Sequence, residues 1–225
     1  MTATKTKIVS FDDLCRREST APIVVKLMMA CNDLSLANEA LLHWKEEQSP
    51  MQKHRELGAK MYFVRIELSH LFEGLKVIDE IRKNNELMTL LSRCDRRTQN
   101  SFNELVKVLP GGTEWKKLEK LIGQLRHNLA FHYDKSGKLI KKAIADRASS
   151  TQTKNSSITR GSSMYLWRFN VADDIVDSIV VRQLWGIPRQ SDLSVEADSI
   201  AEYIHKIFLS FVDFAGEFIW KYLGH

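Results

Sequence analysis

Apolar residues recur along most of this chain at alternating spacings of three and four, the period of a helix with one buried face. Val24, Leu27, Cys31, Leu34, Ala37, Leu41 and Trp44 form one such stripe, and Pro22 suits the first turn of the helix that carries it. Val64, Leu68, Leu71, Leu75 and Ile78 form a second, in a helix expected over residues 51–83. A shorter helix is expected in NNELMTLLSRC, and another after Ser101, whose spacing to Glu104 is that of a capping box. Pro110, Gly111 and Gly112 then stop the chain. The next helix is expected to begin near Thr113 as its N-cap, with Glu114 in the first turn, and to carry Leu118, Ile122, Leu125 and Leu129.

Beyond Asp134 the pattern weakens. Residues 148–163, ASSTQTKNSSITRGSS, are rich in Ser and Thr with little to bury, and are read as a mobile loop. MYLWRFN has the aromatic content of a short strand, expected to pair with KLIKKAI as a hairpin inserted after the preceding helix. Asn170 reads as an N-cap with Asp173 and Asp174 behind it, in a helix that ends at Gly186 with Pro188 beyond. The last helix, expected from Ser194 to Leu223, carries Ile200, Ile204, Ile207, Phe211, Phe214 and Phe218 on one stripe. Phe208, Val212, Ile219 and Tyr222 widen that stripe past one contact face, so the helix is either deeply buried or part of a subunit interface. The fold class is all-α: a helical bundle in a single domain over residues 1–225, with one short β-hairpin.

Composition narrows the function classes without naming one. The 225 residues are 44% hydrophobic and 27% charged, enough to bury a sizeable core. A formal charge of +5 favours an anionic partner, nucleic acid included, without demanding one. Cys15, Cys31 and Cys94 are odd in number and far apart, so they signal neither a disulfide framework nor a zinc site, and a reducing cytoplasm fits them best. MTATKTKIVS lacks the apolar core of a secretion signal, and the most apolar late stretch is broken by Lys206, Asp213 and Glu217; no membrane span is expected. His43, His54, His205 and His225 show no metal-ligand spacing with one another.

The stretch that stands out is LRHNLAFHYD, Leu125 to Asp134, where a leucine-striped helix takes on an arginine, an asparagine and two histidines near its end. Arg126 and His132 are six residues apart, so an ideal helix separates them by about 9 Å along its axis and about 120° around it. They are not stacked neighbours. His132 continues the ridge of Ile122, Leu125 and Leu129, and Asn128 lies one turn before it on the same side. One helix thus offers an acid/base group and a cation near each other without contact, which suits a site completed by a second surface.

An Arg, a polar residue, then a His four to six residues after the Arg, close to the end of a helix in an all-helical domain, resembles the signature of the HEPN superfamily. Here it reads Arg126, His127, Asn128, Leu129, Ala130, Phe131, His132, followed by Tyr133. The resemblance implies a four-helix core, a homodimer in which two motifs line one cleft, and metal-independent endoribonuclease activity needing no cofactor. It also implies RNA as the partner, a role as a toxin or phage-defence effector, and an antitoxin or other regulatory protein as a further candidate partner. Two departures matter. Some HEPN toxins carry a modified Tyr two residues after the His, whereas Tyr133 follows His132 directly, so that regulation is not carried over. His127 stands where Asn is more usual after the Arg. A second match, Arg65 and His70 in VRIELSHLF, sits inside a long striped helix with no polar residue after the Arg, and reads as a bystander.

Attack of an RNA 2′-hydroxyl on the neighbouring phosphorus requires a group that exchanges protons near neutrality, which His supplies, and a permanent planar cation on the phosphate, which Arg supplies better than Lys. His132 is thus the candidate acid/base group and Arg126 the candidate phosphate clamp, with His127, Asn128 and Tyr133 in support. Three readings stand side by side: a HEPN-type ribonuclease, a non-catalytic HEPN-like module that binds RNA or protein, and an unrelated helical scaffold in which His132 is a structural histidine. Lys116, Lys117, Lys120, Lys135, Lys138, Lys141 and Lys142 flank the motif, as a solvated face or as an RNA track.

Overall fold

A computed structural model describes residues 6–46, 56–123, 136–149, 155–160, 162, 168–187 and 193–224. In chain order come a short helix α1 (Phe11–Cys15), then α2 (Ala21–Glu46), α3 (Glu56–Lys83), α4 (Asn85–Ser92), α5 (Arg96–Lys107) and α6 (Trp115–Leu118), which runs on into a π-helical turn, Glu119–Gly123. They are followed by α7 (Lys138–Ala148), strands β1 (Ile158–Thr159) and β2 (Arg168–Phe169), α8 (Asn170–Ser178) with a second π-helical turn, Ile179–Leu184, and the long α9 (Leu193–Tyr222). The protein is an all-α bundle with one antiparallel strand pair, Ile158 opposite Phe169 and Thr159 opposite Arg168.

Four long helices, α2, α3, α5 and α9, share one core. Val24, Leu27 and Leu34 of α2 and Leu71 and Ile78 of α3 are fully buried, the stripes that the period of each segment predicts. The two helices run antiparallel: Lys26 Nζ lies 2.8 Å from Glu80 of α3, and Asp33, further along α2, lies 3.6 Å from Nδ1 of His70, further back along α3. α9 crosses α5 in the same sense, with Arg97 paired to Asp213 at 2.8 Å and Glu104 to Lys206 at 3.8 Å. These contacts lie at the solvent-screened surface and register the helices more than they stabilise them. The aromatic rings between the helices matter more: Phe102 of α5 and Phe214 of α9 pack with centroids 5.1 Å apart, and Phe214 and Phe218 at 5.0 Å. At the far end, the hydroxyls of Thr20 and Tyr222 are 3.0 Å apart and buried, tying the start of α2 to the end of α9.

Of the two alternatives for α9, the stripe Ile207, Phe211, Phe214 and Phe218 is deeply buried, while on the flank Val212 is 39% exposed. Its side chains before Glu202, Ile200 among them, lie outside the described burial, as do those of Leu41, Trp44 and Val64.

Several boundaries differ from the sequence expectation. α5 starts eleven residues after α4 begins and well before Ser101, because Asp95 is the N-cap: its carboxylate accepts the Thr98 N–H at 2.7 Å. That bond, with a second from the Thr98 hydroxyl, holds the Asp95 carboxyl below its ordinary pKa, so its support for the helix is present at neutral pH and is lost on acidification through the lowered value. Ser101 lies inside the helix, and Glu104 pairs forward with Lys107 at 2.6 Å instead of capping. Glu114, not Thr113, precedes α6, and Phe169, not Asn170, precedes α8; neither helix start has a side-chain cap bond, and the Asn170 amide donates instead to the Ser157 hydroxyl at 2.9 Å.

KLIKKAI is helical and is not the partner of the strand in MYLWRFN. Leu139, Ile140 and Ala143 fall on one helical face that packs on the core, and Gly137, with φ of 65°, turns the chain into the helix. β2 pairs with Ile158–Thr159 instead, inside the Ser/Thr-rich stretch expected to be a mobile loop. There backbone pairing and the Asn170–Ser157 bond fix positions that composition alone leaves free; residues 150–154, 161 and 163 of that stretch lie outside the described residues.

At Gly74 α9 approaches α3 closely: a Cβ on it would stand 2.8 Å from two ring atoms of Phe211, which is itself fully buried. A Cβ on Gly216, in the interior of α9, would meet nothing within 4 Å. Gly74→Ala is therefore expected to destabilise the protein by about 1–3 kcal/mol through overpacking, and Gly216→Ala to stabilise it by about 0.5–1 kcal/mol through helix propensity. Urea denaturation of both variants checks this: equal effects of the same sign would mean that the Gly74–Phe211 contact does not set the helix spacing.

Candidate functional site

Arg126, His127, Asn128, His132 and Tyr133 lie outside the described residues, as do Leu125, Leu129 and Lys135. The structure therefore speaks to the motif through the two chain ends that bracket it.

Upstream, α6 docks on α3 through Trp115, whose ring centroid is 6.3 Å from that of Phe72. The π-helical turn then buries two successive residues, Leu121 and Ile122, in the core. A π turn widens the helix by one residue per hydrogen-bonded ring, and such turns recur at functional sites because they hold side chains where an α-helix cannot. Downstream, α7 packs by Leu139, Ile140 and Ala143, and the Leu139 carbonyl accepts the Gln183 amide at 3.1 Å. Gln183 belongs to the second π turn, and Gly186, just past that turn, lies beside Lys120: a Cβ there would sit 3.9 Å from the lysine Nζ. Lys120 before the motif and Leu139 after it thus both approach residues 183–186, in a stretch anchored by buried Ile179, Val180, Leu184 and Ile187. No periodicity points to this platform; it is a long-range contact that only the fold reveals.

Among the flanking lysines, Lys116, Lys117, Lys120, Lys138, Lys141 and Lys142 are all exposed. Lys117 Nζ sits 3.7 Å from the ring centre of Tyr203, a cation–π contact that ties α6 to α9. Burial, and after it the Glu114 carboxylate, raises the pKa of that tyrosine. It serves as a structural anchor, since a phenol held neutral so far above the physiological range is a poor proton exchanger.

The second Arg/His match is fully placed in α3. His70 faces Asp33 of α2 at 3.6 Å, and the Arg65 guanidinium lies 6.0 Å from the Tyr62 ring on its own helix. Buried Leu68 and Leu71 lie between and beside them, so this pair belongs to a packed helix, as the sequence reading has it.

Elsewhere, a cleft of about 380 Å³ is lined by Arg17, Glu86, Leu87, Leu90, Arg93 and Tyr222. Arg17 is committed to the Tyr222 carbonyl and ring, and Glu86 accepts from Ser19 at 3.1 Å. Among the described residues no group of three His, Cys, Asp or Glu is arranged to hold a metal ion, and no helix is long and apolar enough to cross a membrane. No family model, curated protein or solved structure matches this chain.

Cys31 and Cys94, both packed against the core, lack the traits of a nucleophile. Burial pushes Cys31 up to about 11 and raises Cys94 as well, the reverse of an activated thiolate. Cys15 is exposed on α1. At pH 8 an aromatic disulfide reagent is expected to label Cys15 in the folded protein at least about a hundredfold faster than Cys31, because a two-unit rise in pKa alone cuts the thiolate population about that much. The Cys31 rate should climb about tenfold per pH unit towards 11; mass mapping that finds Cys31 labelled as fast as Cys15 at pH 8 would contradict its burial.

Proposed function

We propose that this chain is a metal-independent endoribonuclease of the HEPN type, working as a homodimer. The observation that carries the reading is the run Arg126, His127, Asn128, then three residues, His132 and Tyr133, in an all-α chain, beginning three residues after a π turn anchored in the core. In the proposed reaction His132 accepts the proton of an RNA 2′-hydroxyl, whose oxygen attacks the adjacent phosphorus. The bond to the 5′-oxygen of the next nucleotide breaks, that oxygen takes up a proton, and the products end in a 2′,3′-cyclic phosphate and a 5′-hydroxyl. Arg126 holds the phosphate and offsets the charge that grows on its oxygens. His127, Asn128 and Tyr133 orient these groups, and two copies of the segment complete one cleft.

An exposed lysine surface on both flanks supports RNA as the substrate and equally supports the second reading, a module that binds RNA without cutting it.

Purified protein incubated with a mixed RNA pool in EDTA separates the two readings. Cleavage leaving cyclic phosphate is expected, with a bell-shaped pH profile near neutrality. Arg126→Ala and His132→Ala should each lower the rate by at least about a hundredfold, at unchanged melting temperature and oligomeric state. Cleavage that persists in both variants sinks the assignment of these two residues. A folded wild type that binds RNA and never cuts it establishes the non-catalytic module.

A further inference from the structure

The positive charge of this protein is concentrated around the motif. Residues 116–147 hold nine Lys or Arg against three Asp or Glu, whereas the rest of the chain, with 24 basic and 25 acidic residues, is close to neutral. Within that segment the structure describes Lys116 and Lys120 before the motif and Lys138, Lys141 and Lys142 after it, all exposed.

Lys138, Lys141 and Lys142 share one face of α7, at helix positions i, i+3 and i+4, opposite the face that Leu139, Ile140 and Ala143 bury. They occupy about 6 Å of helix axis. Three features of this placement work against stability. Lys138 and Lys142 repel each other one turn apart. All three sit in the first turn and a half of α7, where the helix dipole disfavours cations, and no acidic residue stands in that first turn. Among the described residues no ion pair reaches any of the three ammonium groups, nor those of Lys116 and Lys120, although lysines on the other helices are paired: Lys26 to Glu80, Lys76 to Glu73, Lys83 to Asp79 and Lys107 to Glu104. A local arrangement that opposes the helix carrying it, with no gain inside the fold, is the mark of a surface kept for a partner.

The fold also joins the two sets. Lys120 Nζ lies 3.9 Å from where a Cβ on Gly186 would stand, and the Gln183 amide bonds the Leu139 carbonyl of α7, so a lysine that precedes the motif and the helix that follows it both approach residues 183–186. We infer that Lys116, Lys120 and the α7 lysine face form the surface on which the RNA backbone docks. This rests on the reading of RNA as substrate. Lysine suits the task, being a point charge that attracts successive phosphates and reads no base.

The test is fluorescence anisotropy with a short single-stranded 2′-O-methyl RNA, which lacks the attacking hydroxyl and so reports binding apart from cleavage. The triple variant Lys138→Ala, Lys141→Ala, Lys142→Ala is expected to bind at least about tenfold more weakly near 0.1 M salt, with the slope of log K against log salt reduced by about 2, three phosphate contacts at about 0.7 each. The corresponding triple Lys→Arg variant should restore both. A control that removes the same charge from paired lysines, Lys26→Ala, Lys76→Ala, Lys83→Ala, should lose less than about twofold. Circular dichroism checks that each variant folds. Wild-type affinity in the α7 variant, or equal loss in the control, overturns the docking surface while leaving the nuclease reading to stand on its cleavage products. RNA bound through these lysines and never cleaved in unmodified form keeps the surface and removes the nuclease. A wild type that ignores RNA but binds anionic lipid vesicles overturns both.

Discussion

The close approach of α9 to α3 at Gly74 is the constraint on which the rest of the bundle depends. With no Cβ at that position, the Phe211 ring seats directly on the α3 backbone, and Ala30 of α2 comes within 3.6 Å of the same point. Three of the four long helices therefore meet at one small residue. Once that spacing is set, Phe214 and Phe218 fall between α9 and α5 at ring distances near 5 Å, and the Thr20–Tyr222 hydroxyl pair closes the end of the bundle. A larger residue at position 74 would push the aromatic stripe outward and open a gap along its length, in an interior where packing is dense enough to register a single methyl group.

Against this rigid frame, the segment with candidate chemistry is attached differently. α6 is a single turn that runs on into a π-helical turn before the motif, and α7, which follows the motif, bonds through its Leu139 carbonyl to Gln183 of a second π-helical turn. Stability is supplied by the buried Leu121, Ile122, Val180 and Leu184. The positive charge gathers on the same side. Lys76, Lys83 and Lys107 are matched with acidic neighbours three or four residues away, and outside residues 116–147 the chain carries 24 basic and 25 acidic residues, close to neutral.

What the sequence made legible follows from which interactions are local. The α2 and α3 stripes were readable because a helix with one buried face must repeat its apolar residues every 3.6 positions, and Leu27, Leu34, Leu71 and Ile78 do so. α7 was misread as a strand because KLIKKAI is short, and its two isoleucines fit a pleated surface as well as a helical one. The α5 start was misplaced because Asp95 and Ser101 both have the chemistry of a cap, and only the buried positions of Thr98, Phe102 and Leu105 decide between them. The motif itself is visible as residues in a row. Its platform is not, since Gln183 and Gly186 are more than forty residues from Leu139 and Lys120 respectively and carry no pattern that pairs them with either.

The π turn also limits how far the helical phase can be carried. The ridge from Leu118 through Ile122 to Leu125, Leu129 and His132 assumes 3.6 residues per turn throughout, yet Glu119–Gly123 departs from that period within the ridge. Whatever faces the core before the turn therefore does not determine, by counting alone, what faces it afterwards. Arg126 and His132 follow three and nine residues after Gly123, the last residue of that turn. A π turn placed inside an apolar stripe shifts the register of that stripe, and such turns recur at functional sites.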